Sequence, residues 1–409
     1  SSSRRSPPMF TVWHLFWANF GPAASVLSGK RGHNVAISNS FPIPPATLAP
    51  VRPRSPNLIA NSVPESGALQ IVDFFEPSPG GIPHGFHVTN AALATEYQGP
   101  IQATQAPLEP RHLGFLAVPY LPAASTLQNL DLLTQSNTAL PALAAASTLQ
   151  RLTNAGVSQT VTNLSWGAAP ADTVDHVYQN LRLGWTPAVD GESDLQVRAR
   201  QEGGAVLGNL ARAFDVPLED LTHQDAQVSG PARQQLQQHL IDRVEEANRH
   251  ASLDLPRAAV RSLADAYEGN HNSLVVAAGN QGQLLEIMEA DNGGRTLSTG
   301  PDFFTSVLAV PNATVVGSLA PLSDGSLGSA DYSSPSPNVD VNAWGRLTDG
   351  VEGTSFAAPR VAALMQQLHV QNPTATSAQV EEMMMEQFFQ QSPYEPANVV
   401  REYMSGQTW

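Results

Sequence analysis

The chain has 409 residues, 42 % of them hydrophobic, a length that supports one large domain or two ordinary ones with a sizeable core. Its net charge is 21 − 36 = −15 with no basic block, which argues against nucleic acid or anionic lipid as a partner. The absence of cysteine excludes disulfides, thiol catalysis and thiolate zinc sites, and no run of eighteen apolar residues offers a membrane span.

In chain order, the first sixty or so residues are dense in Pro and Ser, with Pro42, Pro44, Pro45, Pro50, Pro53 and Pro56 in close succession. Such a composition favours extended, irregular backbone. The stretch Met9 to Leu27 is interrupted by His14, Asn19, Gly21 and Pro22 and makes a poor secretory leader. Residues 1–65 are therefore read as an extension, with residues 66–409 as the main domain.

Ala68 to Val72 is an apolar run ending at Asp73, the mark of a buried strand. Val88 to Ala94 reads as helix, and Gly114 to Val118 as a second strand. A helix over Leu140 to Ala155 precedes a strand over Gln159 to Ser165, and a helix over Arg257 to Glu268 precedes a strand over Ser273 to Ala278. Strands that are nearly continuous apolar runs, alternating with helices, predict a mostly parallel central sheet covered by helices on both faces. Such sheets place reactive residues at the carboxyl ends of their strands.

Between Trp166 and about Leu255 the alternation breaks. Amphipathic patterns at about 193–214 and 231–250, the second carrying Leu236, Leu240, Ile241 and Val244, predict a helical insertion over about 170–255. Its simplest reading is a solvated helical pair extending the surface; a lid or exosite is the second.

The chemistry gathers at strand and helix ends. A serine hydroxyl needs a base within reach, an acid behind that base, and donors for the developing oxyanion. Asp73 closes the first strand, His84 stands in Pro83-His84-Gly85-Phe86-His87-Val88, and Asn280 ends the strand in Val276-Ala277-Ala278-Gly279-Asn280. Ser355 lies in Gly353-Thr354-Ser355-Phe356-Ala357-Ala358-Pro359, where Val361 to Met365 continue at helical spacing. Free N–H groups and the positive end of the helix would favour an oxyanion beside it. Pro359 is expected in the first turn, where a proline is tolerated.

These segments, His-Gly-x-His-Val, Ala-Ala-Gly-Asn and Gly-Thr-Ser-x-Ala-x-Pro with the acid strand before them, resemble the subtilisin-like serine proteases (subtilases, peptidase family S8). The order acid, base, serine differs from that of the chymotrypsin and α/β-hydrolase families. The likeness covers most of residues 66–385 apart from the insertion. It implies a subtilisin-like three-layer α/β fold and a serine endopeptidase working through an acyl-enzyme. Asp73, His84 and Ser355 would form the triad, and Asn280 with the Ser355 N–H the oxyanion hole. Asn163 to Gly167 is similar to the strand that lines the family's substrate cleft. Ser165, Trp166 and Gly167 would pair by backbone with an extended substrate, and Trp166 would narrow the pocket before the scissile bond.

The sequence departs from the family in several places. Asp73 and His84 stand only 11 positions apart, so elements usually found between them are absent. Phe86 stands for a common Thr, Phe356 for a common Met, and Glu352 precedes Gly353 where a neutral residue is usual. Calcium is frequent in the family, but no acidic loop has convincing ligand spacing, and Asp291-Asn292-Gly293-Gly294 reads as a turn. No cofactor and no metal are expected, and a secreted or periplasmic location is favoured over the cytoplasm. The expected partner is an extended peptide or protein substrate. The rival readings are a degenerate subtilase that binds peptides or scaffolds a partner, and an acyl transferase using the same groups.

Overall fold

The computed structural model describes residues 66–391, apart from 76–82, 96, 98, 108–122, 168, 188–190, 250–253, 322–326 and 348–349. The expected extension over 1–65 and the strand expected at Gly114 to Val118 lie outside the described residues.

The sheet is built from β1 (Leu69–Asp73), β2 (Ile101–Gln105), β3 (Val161–Leu164), β4 (Ser273–Ala277), β5 (Ala313–Pro321), β6 (Leu327–Ser329) and β7 (Val341–Trp344). Its order is β2-β1-β3-β4-β5-β6, with β7 also on β5. Every pairing is parallel except β5 with β6. Around it, in chain order, are α1 (His84–Leu93), α2 (Ala123–Asn154), α3 (Pro170–Trp185), α4 (Asp194–Ala213), α5 (Leu218–Thr222) and α6 (Ala226–Arg249). They are followed by α7 (Asp254–Glu268), α8 (Leu284–Asp291), α9 (Thr354–Gln371) and α10 (Ser377–Gln391).

Strand residues alternate between two cores, which is why each run reads as continuously apolar. Leu69, Ile71, Val161, Val275, Ala277 and Val316 face α1, α9 and α10. Val72, Leu164, Leu274, Val276 and Val315 face α2 and α7. This is the three-layer α/β arrangement that the alternation predicts. On the first face α9 presents Ala357, Ala358, Ala362 and Ala363, all buried, so the helix lies close to the sheet. It also carries a buried amide: Gln366 Oε1 accepts from Val161 N at 2.7 Å, and its Nε2 donates to Gln159 O at 2.8 Å. The first strand residue therefore has its donor satisfied by a helix side chain.

At the opposite end of β4 from Asn280, Ser273 Oγ lies 2.9 Å from His369 Nε2 and 2.8 Å from Ser377 Oγ. His369 is 0 % exposed, and its Nδ1 has no hydrogen-bond partner among the described residues. Burial lowers its pKa to about 4, helped by the nearby His271.

The helices between Pro170 and Arg249 are more than a solvated pair. Helices α3 to α6 share a core of their own, with Leu236, Leu240, Ile241 and Val244 fully buried against Val174, Leu181, Leu207 and Leu210. Each such side chain contributes about 1.5–3 kcal/mol of burial. The core takes in Leu284 and Met288 of α8, which follows Asn280 closely, and α3 follows Gly167 just as closely. Polar groups tie the same helices: Tyr178 Oη donates to Asp291 Oδ2 at 2.6 Å, and Arg233 donates to Leu221 O, Asp291 O and His223 O, each at 3.0 Å. The Asp291 carboxylate also takes Arg182 at 2.8 Å, and the residues after it turn through Gly293 (φ 77°) and Gly294 (φ 82°).

Candidate active site

Asp73 sits at the carboxyl end of β1, fully buried between β2 and β3. Its Oδ1 accepts from Phe74 N and from His84 Nδ1, both at 2.7 Å. An ionised carboxylate has no proton to give, so Nδ1 carries the hydrogen and Nε2 is left as the basic nitrogen. The second carboxylate oxygen has no partner among the described residues.

The short connection is closed by local contacts. Gly85 N donates to Phe74 O at 2.9 Å, Phe75 N donates to Gln105 Oε1 at 2.7 Å, and α1 begins at His84 itself. The Phe75 ring lies over Gly85 so closely that a Cβ there would meet it at 2.7 Å. Phe86 then packs edge-on against Phe75, with centroids 5.7 Å apart. Eleven positions suffice because the Gly85–Phe74 backbone bond holds the start of α1 against the end of β1.

The His84 side chain is 26 % exposed and its ring lies 5.7 Å from that of Phe356. Burial alone would depress its pKa; the charge and hydrogen bond of Asp73 outweigh this and hold it above the ordinary histidine value. His87 packs with its ring 6.2 Å from Phe356.

Ser355 opens α9 from the other side. Gly353 N donates to Gly345 O at 3.0 Å and Leu347 N to Val351 O at 2.8 Å, which sets 345–347 antiparallel to 351–353, with the Arg346–Glu352 ion pair at 3.2 Å between them. Thr354 N donates to Asn280 Oδ1 at 2.9 Å, and Thr354 Oγ1 does the same at 3.0 Å. With its carbonyl thus held, the Asn280 amide nitrogen is turned away from Thr354. The Asn280 loop is clamped further by Ser334, whose Oγ accepts from Gln281 N at 3.1 Å, while Gln281 Oε1 accepts from Asn280 N at 2.8 Å. Gly279 adopts φ 109°, a conformation that favours glycine, and a Cβ there would meet Ser334 Oγ at 2.8 Å.

Ser355 is the second residue of α9, where a backbone N–H has no intrahelical acceptor. Its hydroxyl donates to Ser165 O at 2.9 Å and not to His84. Pro359 is the sixth residue of α9, beyond the first turn expected from sequence. Its missing N–H therefore removes a helical donor from the carbonyl of Ser355.

Ser165 touches Ser355 through its carbonyl, and Gly167 lies against Ser306. Asn163 Nδ2 donates to Ser165 Oγ at 2.7 Å. Trp166 is 7 % exposed, with its indole Nε1 donating to Val72 O at 2.8 Å, so little of the ring remains to narrow a pocket. A Cβ on Gly167 would meet Ser306 Oγ at 2.5 Å, so any larger residue there would require the Ser306 side chain to move. Sequence reasoning missed Thr354, Gln281, Ser334 and Asn163, the groups that orient Asn280 and Ser165. Thr354 and Asn163 lie inside quoted segments and Gln281 adjoins one, but nothing in the sequence marks their orienting contacts, and Ser334 lies outside them all. Among the described residues, no group of three or more His, Asp or Glu is arranged to hold a metal ion, and no helix is long and apolar enough to cross a membrane.

Comparison with known proteins finds no match among curated proteins. Solved structures similar to this chain include sphericase, at 15 % identity over 78 % of this chain and 83 % of that one, with a TM-score of 0.36. The MycP3 protease from a type VII (ESX-3) secretion system is similar at 15 % identity over 84 % and 83 %, with a TM-score of 0.34. A cold-adapted subtilisin-like serine proteinase is similar at 14 % identity over 78 % and 81 %, with a TM-score of 0.32. The family model described as the subtilase family, Peptidase_S8, matches residues 80–403, a span that contains His84, Asn280 and Ser355 and starts after Asp73. The chain belongs to the subtilase family and is a serine-type peptidase.

Proposed function

We propose that the protein is an endopeptidase that cleaves extended peptides through an acyl-enzyme on Ser355. The observation that carries this reading is the 2.7 Å bond between the buried Asp73 carboxylate and His84 Nδ1. It leaves Nε2 as a base beside the segment that bears the serine. Ser355 Oγ attacks the scissile carbonyl carbon, and its proton passes to His84 Nε2. The oxyanion is received by the Asn280 amide nitrogen and the Ser355 N–H. His84 then protonates the leaving amine as the carbon–nitrogen bond breaks. Water, deprotonated by the same imidazole, hydrolyses the ester and restores the hydroxyl. Ser165, Trp166 and Gly167 pair by backbone with the substrate, and no metal or cofactor takes part.

One observation favours a second reading, a peptide-binding protein without turnover: the Ser355 hydroxyl is bonded to Ser165 O and not to His84. A fluorophosphonate probe separates the two. Stoichiometric labelling mapped to Ser355 by mass spectrometry, and absent from Ser355→Ala, is expected of the peptidase. No labelling of folded protein would overturn it.

A further inference from the structure

The Asn280 amide stands at the end of a run of contacts that begins on α6. Asn280 Oδ1 accepts from Thr354, and Asn280 N donates to Gln281 Oε1 at 2.8 Å. The Gln281 carbonyl in turn accepts from Leu284 N at 3.0 Å, so the first turn of α8 closes directly on Gln281. At its other end α8 is gripped from α6. Gln237, fully buried, donates to Met288 O at 2.8 Å and to Tyr178 Oη at 3.2 Å, and its Oε1 accepts from Asn292 Nδ2 at 2.8 Å. Arg233 Nη1 holds Asp291 O, and Leu284 and Met288 lie in the core that α3 to α6 share.

We infer that Gln237 is a positioning residue for the proposed reaction: through α8 it fixes the loop that aims the Asn280 amide nitrogen at the oxyanion. This role rests on the acyl-enzyme reading above and gives α3 to α6 a part in it. Helix α8 has eight residues, about 12 Å of rise. A helix that short is marginal on its own, so it depends on what packs against it and on how its two ends are held. Its start is the Asn280 loop, which the chain at 332–334 also holds: Gly282 N donates to Tyr332 O at 3.0 Å and Gln281 N to Ser334 Oγ at 3.1 Å. Its end is held by Gln237. Without that amide the buried Asn292 loses an acceptor and α8 loses a tie to α6, and α8 shifts to relieve the cost. Gln281 passes the shift to Asn280. Asp73 and His84 are carried by β1 and α1, which pack with α9 in a different core, so the base is left in place.

The test follows labelling of the full chain by a fluorophosphonate: Ser355 Oγ bonds to phosphorus, fluoride departs, and the hydroxyl proton passes to His84. Native protein, Gln237→Met, Asn280→Ala and the double variant are compared, each shown by circular dichroism to be folded at the assay temperature. Gln237→Met is expected to lower the limiting rate at saturation about two- to thirtyfold, with the half-saturation concentration unchanged. In the Asn280→Ala background the same change is expected to cost nothing further, because the group it aims is gone. Gly230→Ala reaches the same joint by another route and decides the matter if Gln237→Met does not fold. A Cβ there would run into Asn292 O and the Arg295 guanidinium, pushing α6 from the end of α8 without removing a hydrogen-bonding group. The same pattern of rates is expected. A loss of equal size in both backgrounds, or no loss in a folded variant, would overturn the positioning role. Asn280→Ala labelling as fast as native protein would dismiss the oxyanion assignment, and this role with it. Failure of folded native protein to label would remove the acyl-enzyme reading itself.

Discussion

Asp73 and His84 belong to one short stretch of chain and are joined by charge, whereas Thr354 and Asn280, 74 residues apart, are joined by neutral hydrogen bonds at 2.9 and 3.0 Å. A charge-assisted bond to a buried carboxylate is roughly twice as strong as a neutral one, so the imidazole is fixed before any substrate arrives. A typical neutral bond is worth about 0.5–1.5 kcal/mol net, which makes its partners exchangeable. In the proposed site the Asp73–His84 half is thus held by the stronger bond, and the Thr354–Asn280 half by the weaker ones.

Substitutions on each side sharpen that contrast. Ser355→Ala removes the proposed nucleophile and is expected to lower peptide hydrolysis by about 10⁶ while peptide binding persists; an unchanged rate would dismiss the assignment. Asp73→Asn is expected to lower turnover by about 10⁴, because the wrong nitrogen of His84 then carries the hydrogen. Its pH profile carries a second readout. The base works only when neutral, so activity is present above the His84 pKa and lost as pH falls through it. In the native protein that limb lies above the ordinary value of 6.5, and without the Asp73 charge it moves down. A limb that stays in place would mean that another group raises it.

Asn280→Ala tests the exchangeable half and is expected to reduce kcat by about 10²–10³, with KM little altered. A matching rise in KM at constant kcat would recast Asn280 as a binding residue. The smallest effect is expected from Gly85→Ala, whose new methyl group meets the Phe75 ring that closes the Asp73–His84 connection. Overpacking of this kind destabilises by about 1–3 kcal/mol. A melting temperature equal to the native one would show that the aromatic ring yields.

The apolar runs that became β1, β3 and β4 were legible because both faces of each strand are covered. β2 was not: its sequence, Ile-Gln-Ala-Thr-Gln, is half polar and lies at the sheet edge. β7 is only four residues long and went unread, as did β5, although its start is apolar. α2 was read as half its length, since its N-terminal part is rich in Ser, Thr and Asn and Pro141 suggests a beginning. There Thr134 and Thr138 satisfy their hydroxyls on the carbonyls four residues back, which hides their polarity inside the helix. In the site, the residues that carry chemistry stood out by type and order. The groups that aim them, such as Thr354 and Ser334, act through single contacts between distant segments, and a linear pattern holds no trace of those.

The buried His369 gives the molecule an order of events on acidification. A histidine whose folded pKa is about 4 stabilises the fold fully above 6.5 and progressively less as pH falls from 6.5 towards 4. His84, with its pKa raised above 6.5, takes up its proton earlier on the same descent. Mild acid should therefore silence the enzyme while it is still intact, and stronger acid loosen it afterwards. Activity and denaturant midpoint measured together from pH 8 to pH 4 would show two separate transitions, with the first fully reversible. A peptidase with that ordering has an interval of acidity in which it can be held whole and idle.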